Sequence, residues 1–251
     1  MRLHYRLDGN EHAPVLALPS SLGTSTELWT ENVQYWGETF RILRFDQRGH
    51  GGSEAPPSPY SLSDLGRDFI GLLDELKLER VTLCGLSLGG ATAMWVAAEA
   101  PERLDRLILA CTSARFGEPA QWLERAETVR SAGLEAIADK VVARWFTDDV
   151  EPETVARFRS LLVATSAEGY AACCEALAGW DFRDRLGEIR ADTLVIAGAE
   201  DVVAPLRDSE QLVARIPQAR LVVVEQAAHL ANVEQPEAFA GAVLDAVAEA
   251  A

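Results

Sequence analysis

Positive charge, cysteine and histidine are all scarce in this sequence. Across 251 residues, 23 Lys and Arg stand against 39 Asp and Glu, a formal charge of −16. No segment is basic enough to follow a phosphate backbone, and an anionic bilayer repels such a chain, so neither nucleic acid nor membrane is an expected partner. A run of about 18 apolar residues is lacking too, which excludes a transmembrane helix. The opening stretch MRLHYRLDGNEHAP has no apolar core or cleavage pattern, so no secretory leader is expected. The four cysteines, Cys84, Cys111, Cys173 and Cys174, form no CxxC and no Cys/His zinc pattern. Buried free thiols in the reducing cytoplasm are therefore expected, and no metal site; the adjacent Cys173 and Cys174 have no supporting ligands for a redox or metal role. Nothing in the chain specifies an oligomeric state.

What is present reads as a packed α/β protein. Hydrophobic residues make up 48 % and charged residues 25 %, which excludes a disordered chain. Short apolar runs at Val15–Leu18, Phe40–Phe45, Val81–Cys84, Leu107–Cys111, Leu194–Ala197 and Leu221–Val224 have the continuous, branched character of buried parallel strands. Helix signals lie between several of them. Ser61 is an N-cap ahead of Leu65, Phe69, Leu72, Leu73 and Leu76, Ala91–Ala100 is Ala-rich and stopped by Pro101, and Pro236 opens a last amphipathic stretch. The alternation predicts a mostly parallel sheet flanked by helices.

It breaks between Thr112 and Ile189, where four helical stretches follow one another, near Pro119–Ser131, Leu134–Phe146, Pro152–Ala164 and Glu168–Leu177. The expected organisation is thus a core over 1–111 and 190–251, with a helical lid inserted over 112–189. Such a lid covers the carboxyl ends of the strands, where open α/β sheets bind ligands.

Gly85-Leu-Ser-Leu-Gly89 sits between an apolar strand run and an Ala-rich helix. A serine hydroxyl becomes a nucleophile when a tight strand-to-helix turn holds it out of the backbone, and that turn requires small residues two before and two after it. Ser87 is the candidate nucleophile; a structural Gly-rich turn is the plain alternative. Of the four histidines, His4 and His12 precede any site element, and His50 reads best as a packed residue of the Asp46-Gln-Arg-Gly-His50 loop. His229 follows the last strand run and is the well-placed base. The loop after Leu194–Ala197 offers Glu200 and Asp201, and the shorter Asp201 suits an imidazole partner. Backbone N–H groups of Leu88, beside the nucleophile, and of Leu22, after the first strand run, are the candidate oxyanion donors.

The order Ser87, Asp201, His229 is that of α/β-hydrolases. More closely, the chain resembles the 3-oxoadipate enol-lactonases of the β-ketoadipate pathway of aromatic catabolism. The likeness is carried by Ser21-Leu-Gly-Thr24, Arg48-Gly-His-Gly51, Cys84-Gly-Leu-Ser-Leu-Gly-Gly90, Arg144-Trp-Phe-Thr147, Glu168-Gly-Tyr-Ala-Ala-Cys-Cys-Glu175 and Ala228-His-Leu-Ala-Asn-Val-Glu-Gln-Pro236. One departure is Pro19-Ser-Ser-Leu-Gly23, which lacks the His-Gly of many superfamily members. The resemblance implies an α/β-hydrolase fold and hydrolysis of the enol-lactone to 3-oxoadipate without metal or cofactor. The alternatives are a related esterase or cofactor-free perhydrolase, or a small-molecule receptor on the same scaffold. An anionic lactone in turn needs a cation, for which Arg115 and Arg144 of the lid are the candidates, with Trp122 and Trp145 as apolar walls.

Overall fold

A computed structural model describes residues 1–248. The core segment expected over 190–251 therefore continues into 249–251, which lie outside the described residues. Seven strands form one sheet: β1 (Tyr5–Gly9), β2 (Val15–Pro19), β3 (Arg41–Phe45), β4 (Val81–Leu86), β5 (Leu104–Ala110), β6 (Thr193–Gly198) and β7 (Arg220–Val224). Their spatial order is β1-β3-β2-β4-β5-β6-β7. β1 pairs antiparallel with β3, Tyr5 opposite Phe45, and every other pairing is parallel. Each of the six expected apolar runs falls on a strand, with Phe40 and Cys111 one residue outside β3 and β5, and β2, β4 and β6 are buried along their whole length. β1 has no such run: Tyr-Arg-Leu-Asp-Gly sits half in solvent at the sheet edge, held by its ladder to β3.

The sheet is flanked by helices. α1 (Thr30–Trp36) packs on α10 (Pro236–Ala248), and α2 (Leu62–Glu75) packs on α3 (Leu88–Glu99). α8 (Leu206–Arg215) packs on β6 and β7, and α9 (Ala231–Glu234) is a single turn after β7. Ser61 caps α2 with a capping box: its hydroxyl accepts from the Asp64 N–H while the Asp64 carboxylate accepts from the Ser61 N–H. Between β5 and β6 stand four helices, α4 (Pro119–Ala132), α5 (Glu135–Val142), α6 (Pro152–Val163) and α7 (Ala167–Ala178). α4 and α7 pack side by side, as do α5 and α6. α7 also meets the core loop after β3, where the Cα atoms of Gly169 and Gly49 approach so closely that a side chain on either would collide with the other's backbone.

Parallel strands point their carboxyl ends the same way, so the loops after β2, β4, β5, β6 and β7 converge at one edge. The sheet ladder is extended past the strand ends by Ser20 N–H to Phe45 O at 2.8 Å, Ser87 N–H to Ala110 O at 3.0 Å and Ala199 N–H to Val224 O at 3.0 Å. These bonds make the loop bases as fixed as the strands themselves.

Candidate active site

Ser87 is the first residue beyond β4 and the residue before α3. Its backbone sits at φ 55°, ψ −116°, a conformation an L-residue adopts only under constraint. The constraint is visible on both sides. A Cβ at Gly85 would strike the Gly89 carbonyl, and one at Gly90 would strike Thr112. Thr112 Oγ1 in turn donates to the Ser87 carbonyl at 2.7 Å. The outcome is a side chain held above the sheet edge: Ser87 Oγ has no hydrogen-bond partner among the described residues and faces a cavity also lined by His229, Leu22, Trp122, Arg144 and Trp145.

His229 lies five residues beyond β7. Its Nδ1 is 2.8 Å from Asp201 Oδ2, with both side chains buried. Asp201 Oδ1 accepts from the N–H groups of Val203 at 2.7 Å and Ala204 at 2.9 Å. With one oxygen fixed by the backbone, the other is aimed at the imidazole, which favours the tautomer protonated at Nδ1 and leaves a lone pair on Nε2. Glu200 is exposed instead. Its N–H donates to Ala227 O at 2.9 Å and so ties the acid loop to the histidine loop.

The two expected oxyanion donors differ in origin. Leu88 N–H is in the first turn of α3, where helix geometry offers no acceptor and the dipole favours negative charge. Leu22 N–H is the second residue of a turn closed by Thr24 N–H to Ser21 O at 3.1 Å, with Gly23 at φ 74°. That turn is braced from β3 and α3: Gln47 Nε2 donates to Ser20 O at 2.7 Å, and Thr92 Oγ1 donates to Gln47 Oε1 at 2.7 Å.

The lid residues separate. Trp145 and Trp122 both face the cavity, and Trp122 Nε1 donates to Phe116 O at 2.6 Å. Arg144 lines it as well, donating to the Val202 carbonyl at 3.1 Å, with burial and the nearby Arg125 drawing its pKa down. Arg115 is not brought to the cavity. Its guanidinium pairs with Glu118 at 3.2 Å, so this candidate for the substrate carboxylate lies outside the cavity lining. Arg125 and Tyr170, which sequence reasoning passed over, line the cavity in its place. For Arg125 the sequence gives no signal of this beyond helical spacing on α4, whereas Tyr170 lies in Glu168–Glu175, one of the segments that carry the family likeness.

His50 is buried behind the site. Its Nδ1 is 3.0 Å from the Arg48 carbonyl, and its Nε2 has no partner among the described residues. Burial pushes its pKa down, against the smaller opposing effects of that carbonyl and of Asp46. All four cysteines are free and buried, and burial raises each thiol pKa. No group of residues suited to a metal ion occurs among the described residues. No described helix is long and apolar enough to cross a membrane.

A strained serine and a carboxylate-bound imidazole at one cavity, with Leu22 in its lining and the Leu88 N–H in the helical turn that follows Ser87, are equipped for acyl transfer. Comparison with known proteins points the same way. Residues 14–236 match the model of the alpha/beta hydrolase fold family. The 3-oxoadipate enol-lactonase 2 of Acinetobacter baylyi is 43 % identical over 244 residues, spanning 96 % of this chain and 91 % of its own. The solved enol-lactonase from Burkholderia xenovorans superposes with a TM-score of 0.95 at 42 % identity, covering 98 % of this chain and 96 % of its own. A hydrolase from Pseudomonas aeruginosa gives 0.94 at 44 % identity, with 98 % and 94 % covered.

Proposed function

The chain belongs to the alpha/beta hydrolase fold family, as a carboxylic-ester hydrolase of the enol-lactonase type, and on that premise we propose that it opens the enol-lactone of 3-oxoadipate by a Ser87, His229, Asp201 triad. The single observation that carries the reading is the 2.8 Å bond between buried Asp201 and His229 beside the cavity that Ser87 faces. His229 Nε2 takes the proton as Ser87 Oγ adds to the lactone carbonyl carbon. The resulting oxyanion is held by the N–H groups of Leu22 and Leu88. Collapse breaks the bond from the acyl carbon to the ring oxygen. The enolate so released takes the proton back from His229 and ketonises, which draws ring opening forward. Water, deprotonated by His229, then cleaves the Ser87 ester.

Loss of enol-lactone generated in situ, followed by its ultraviolet absorbance, tests the activity. Rapid quench with mass spectrometry tests the covalent step. Ser87→Ala is expected to lower kcat by about 10⁴-fold or more and to abolish the adduct, in line with removal of a triad nucleophile. Lactone turnover retained in Ser87→Ala overturns the nucleophile assignment. Hydrolysis of simple esters with no lactone opening replaces the substrate assignment with that of a general esterase.

A further inference from the structure

Outside the reacting groups, α4 and α7 bring Gln121, Arg125 and Tyr170 to the cavity, while Ser21, Thr24 and Arg144 line it from other elements. Arg125 is half-buried there, with its guanidinium carbon 4.6 Å from the centre of the Trp122 ring. A guanidinium seated over an indole face is held in place by the ring while its N–H groups remain able to donate. Among the described residues no carboxylate pairs with it. Other lid arginines are engaged: Arg130 with Glu168 and Glu175, Arg157 with Glu31, Arg159 with Asp139. Arg144 is bound to the Val202 carbonyl and has the charge of Asp201 near it.

Tyr170 supplies an independent observation. The residue is fully buried in α7 and lines the cavity, yet its hydroxyl has no hydrogen bond of normal geometry. Burial raises the phenol pKa, and the adjacent Arg125 guanidinium opposes that rise both by its charge and as a hydrogen-bond donor to the phenol oxygen. A buried hydroxyl whose proton meets no acceptor is costly, and one beside a cation that no carboxylate neutralises calls for an anionic ligand atom.

We propose that Arg125 determines the specificity of this site by gripping the carboxylate arm of the substrate through its in-plane N–H groups, with the Tyr170 hydroxyl donating to the same carboxylate. Arg144 has a different task, tethering the lid to the loop that carries Asp201. The inference rests on the lactone-hydrolase reading and refines it: the site selects esters bearing a carboxylate on the acyl side over neutral esters of equal length.

The test uses two matched esters, mono-p-nitrophenyl glutarate and p-nitrophenyl pentanoate, with the full chain and its Arg125→Ala, Arg125→Lys, Tyr170→Phe and Arg144→Ala variants. The readout is the ratio of kcat/KM for the anionic ester to that for the neutral one. Loss of a hydrogen bond to a charged group corresponds to about a 10- to 100-fold change. Arg125→Ala is expected to lower the ratio by that amount, chiefly through KM of the anionic ester. Arg125→Lys keeps the charge without the planar fork and falls between, and Tyr170→Phe loses about 5-fold. Arg144→Ala is expected to move both esters together. Equal turnover of the two esters by the unmodified chain overturns the proposal. So does a ratio that survives Arg125→Ala, or one that collapses in Arg144→Ala alone. If the unmodified chain opens no enol-lactone but the ratio still responds to Arg125, the proposed lactone fails and the anion selectivity stands.

Discussion

At the scale of single residues, chemistry that depends on rare side chains was the most legible. Four histidines and one serine between suitably spaced glycines left few choices for a base and a nucleophile, and strand runs placed Ser87 and His229 beyond the carboxyl ends of β4 and β7. Arg125 was illegible for the opposite reason. Ten of the 23 basic residues fall within 112–190, and nothing in one dimension tells which of them lack an acidic partner. His50 carries a consequence for stability. Its native pKa is lowered by burial, so the folded chain holds it neutral while the unfolded chain binds a proton below its ordinary value of about 6.5. The unfolded state then binds more protons, and stability falls as pH drops below that value, by up to about 1.4 kcal/mol per pH unit for one group. Above it the contribution is complete. Urea unfolding at pH 7.5 and 5.5 measures this loss, and His50→Gln is expected to remove part of it. An identical loss in the variant would show that other groups govern the acid limb.

At the scale of elements, the buried strands and the longer helices announced themselves by unbroken or periodic apolar residues. β1 and α1 did not, because each is short, polar on one side and stabilised by partners distant in sequence: β1 by β3, α1 by α10. The lid helices could be read, but their coupling to the site could not. The segment after α5 is bonded to the residues that follow His229 and, through Glu234, to the one before it. Leu230 N–H donates to Trp145 O at 2.9 Å, and Glu234 Oε1 accepts from Thr147 N–H and Thr147 Oγ1 at 2.7 Å each. The other oxygen of Glu234 accepts from Ala228 N–H at 2.7 Å. Glu234 is thereby a positioning residue, holding lid and histidine loop in one register. Glu234→Gln keeps an acceptor for Thr147 but presents N–H to N–H at Ala228. The expected outcome is about a 10-fold fall in kcat for lactone opening with KM changed less, and a shifted acid limb in the kcat pH profile. A variant that loses only thermal stability, with kcat and its pH profile intact, would confine Glu234 to folding.

For the whole molecule, the charge of −16 sets a problem that the fold answers only locally. An anionic substrate approaches an acidic body, and the lid does not reverse its sign, because most of its arginines are neutralised by neighbouring carboxylates. Among the described residues, Arg125 and Arg144 alone bring cationic side chains to the cavity. The ranges of the two effects differ. At about 0.01 M ionic strength the Debye length is about 30 Å, so the substrate meets the repulsion of the entire surface. At about 0.15 M it is near 8 Å, and the body is screened while a half-buried guanidinium in contact with the carboxylate is screened much less. Raising ionic strength across that interval is therefore expected to increase kcat/KM for the anionic lactone about 2- to 5-fold and to leave p-nitrophenyl pentanoate flat. A steady fall for the anion instead would mean that the cavity mouth projects a net positive field beyond contact range. Repeating the series with Arg125→Ala separates the two ranges: the salt-dependent rise should persist, since the body still repels, while the absolute rate drops by the same factor at every salt concentration.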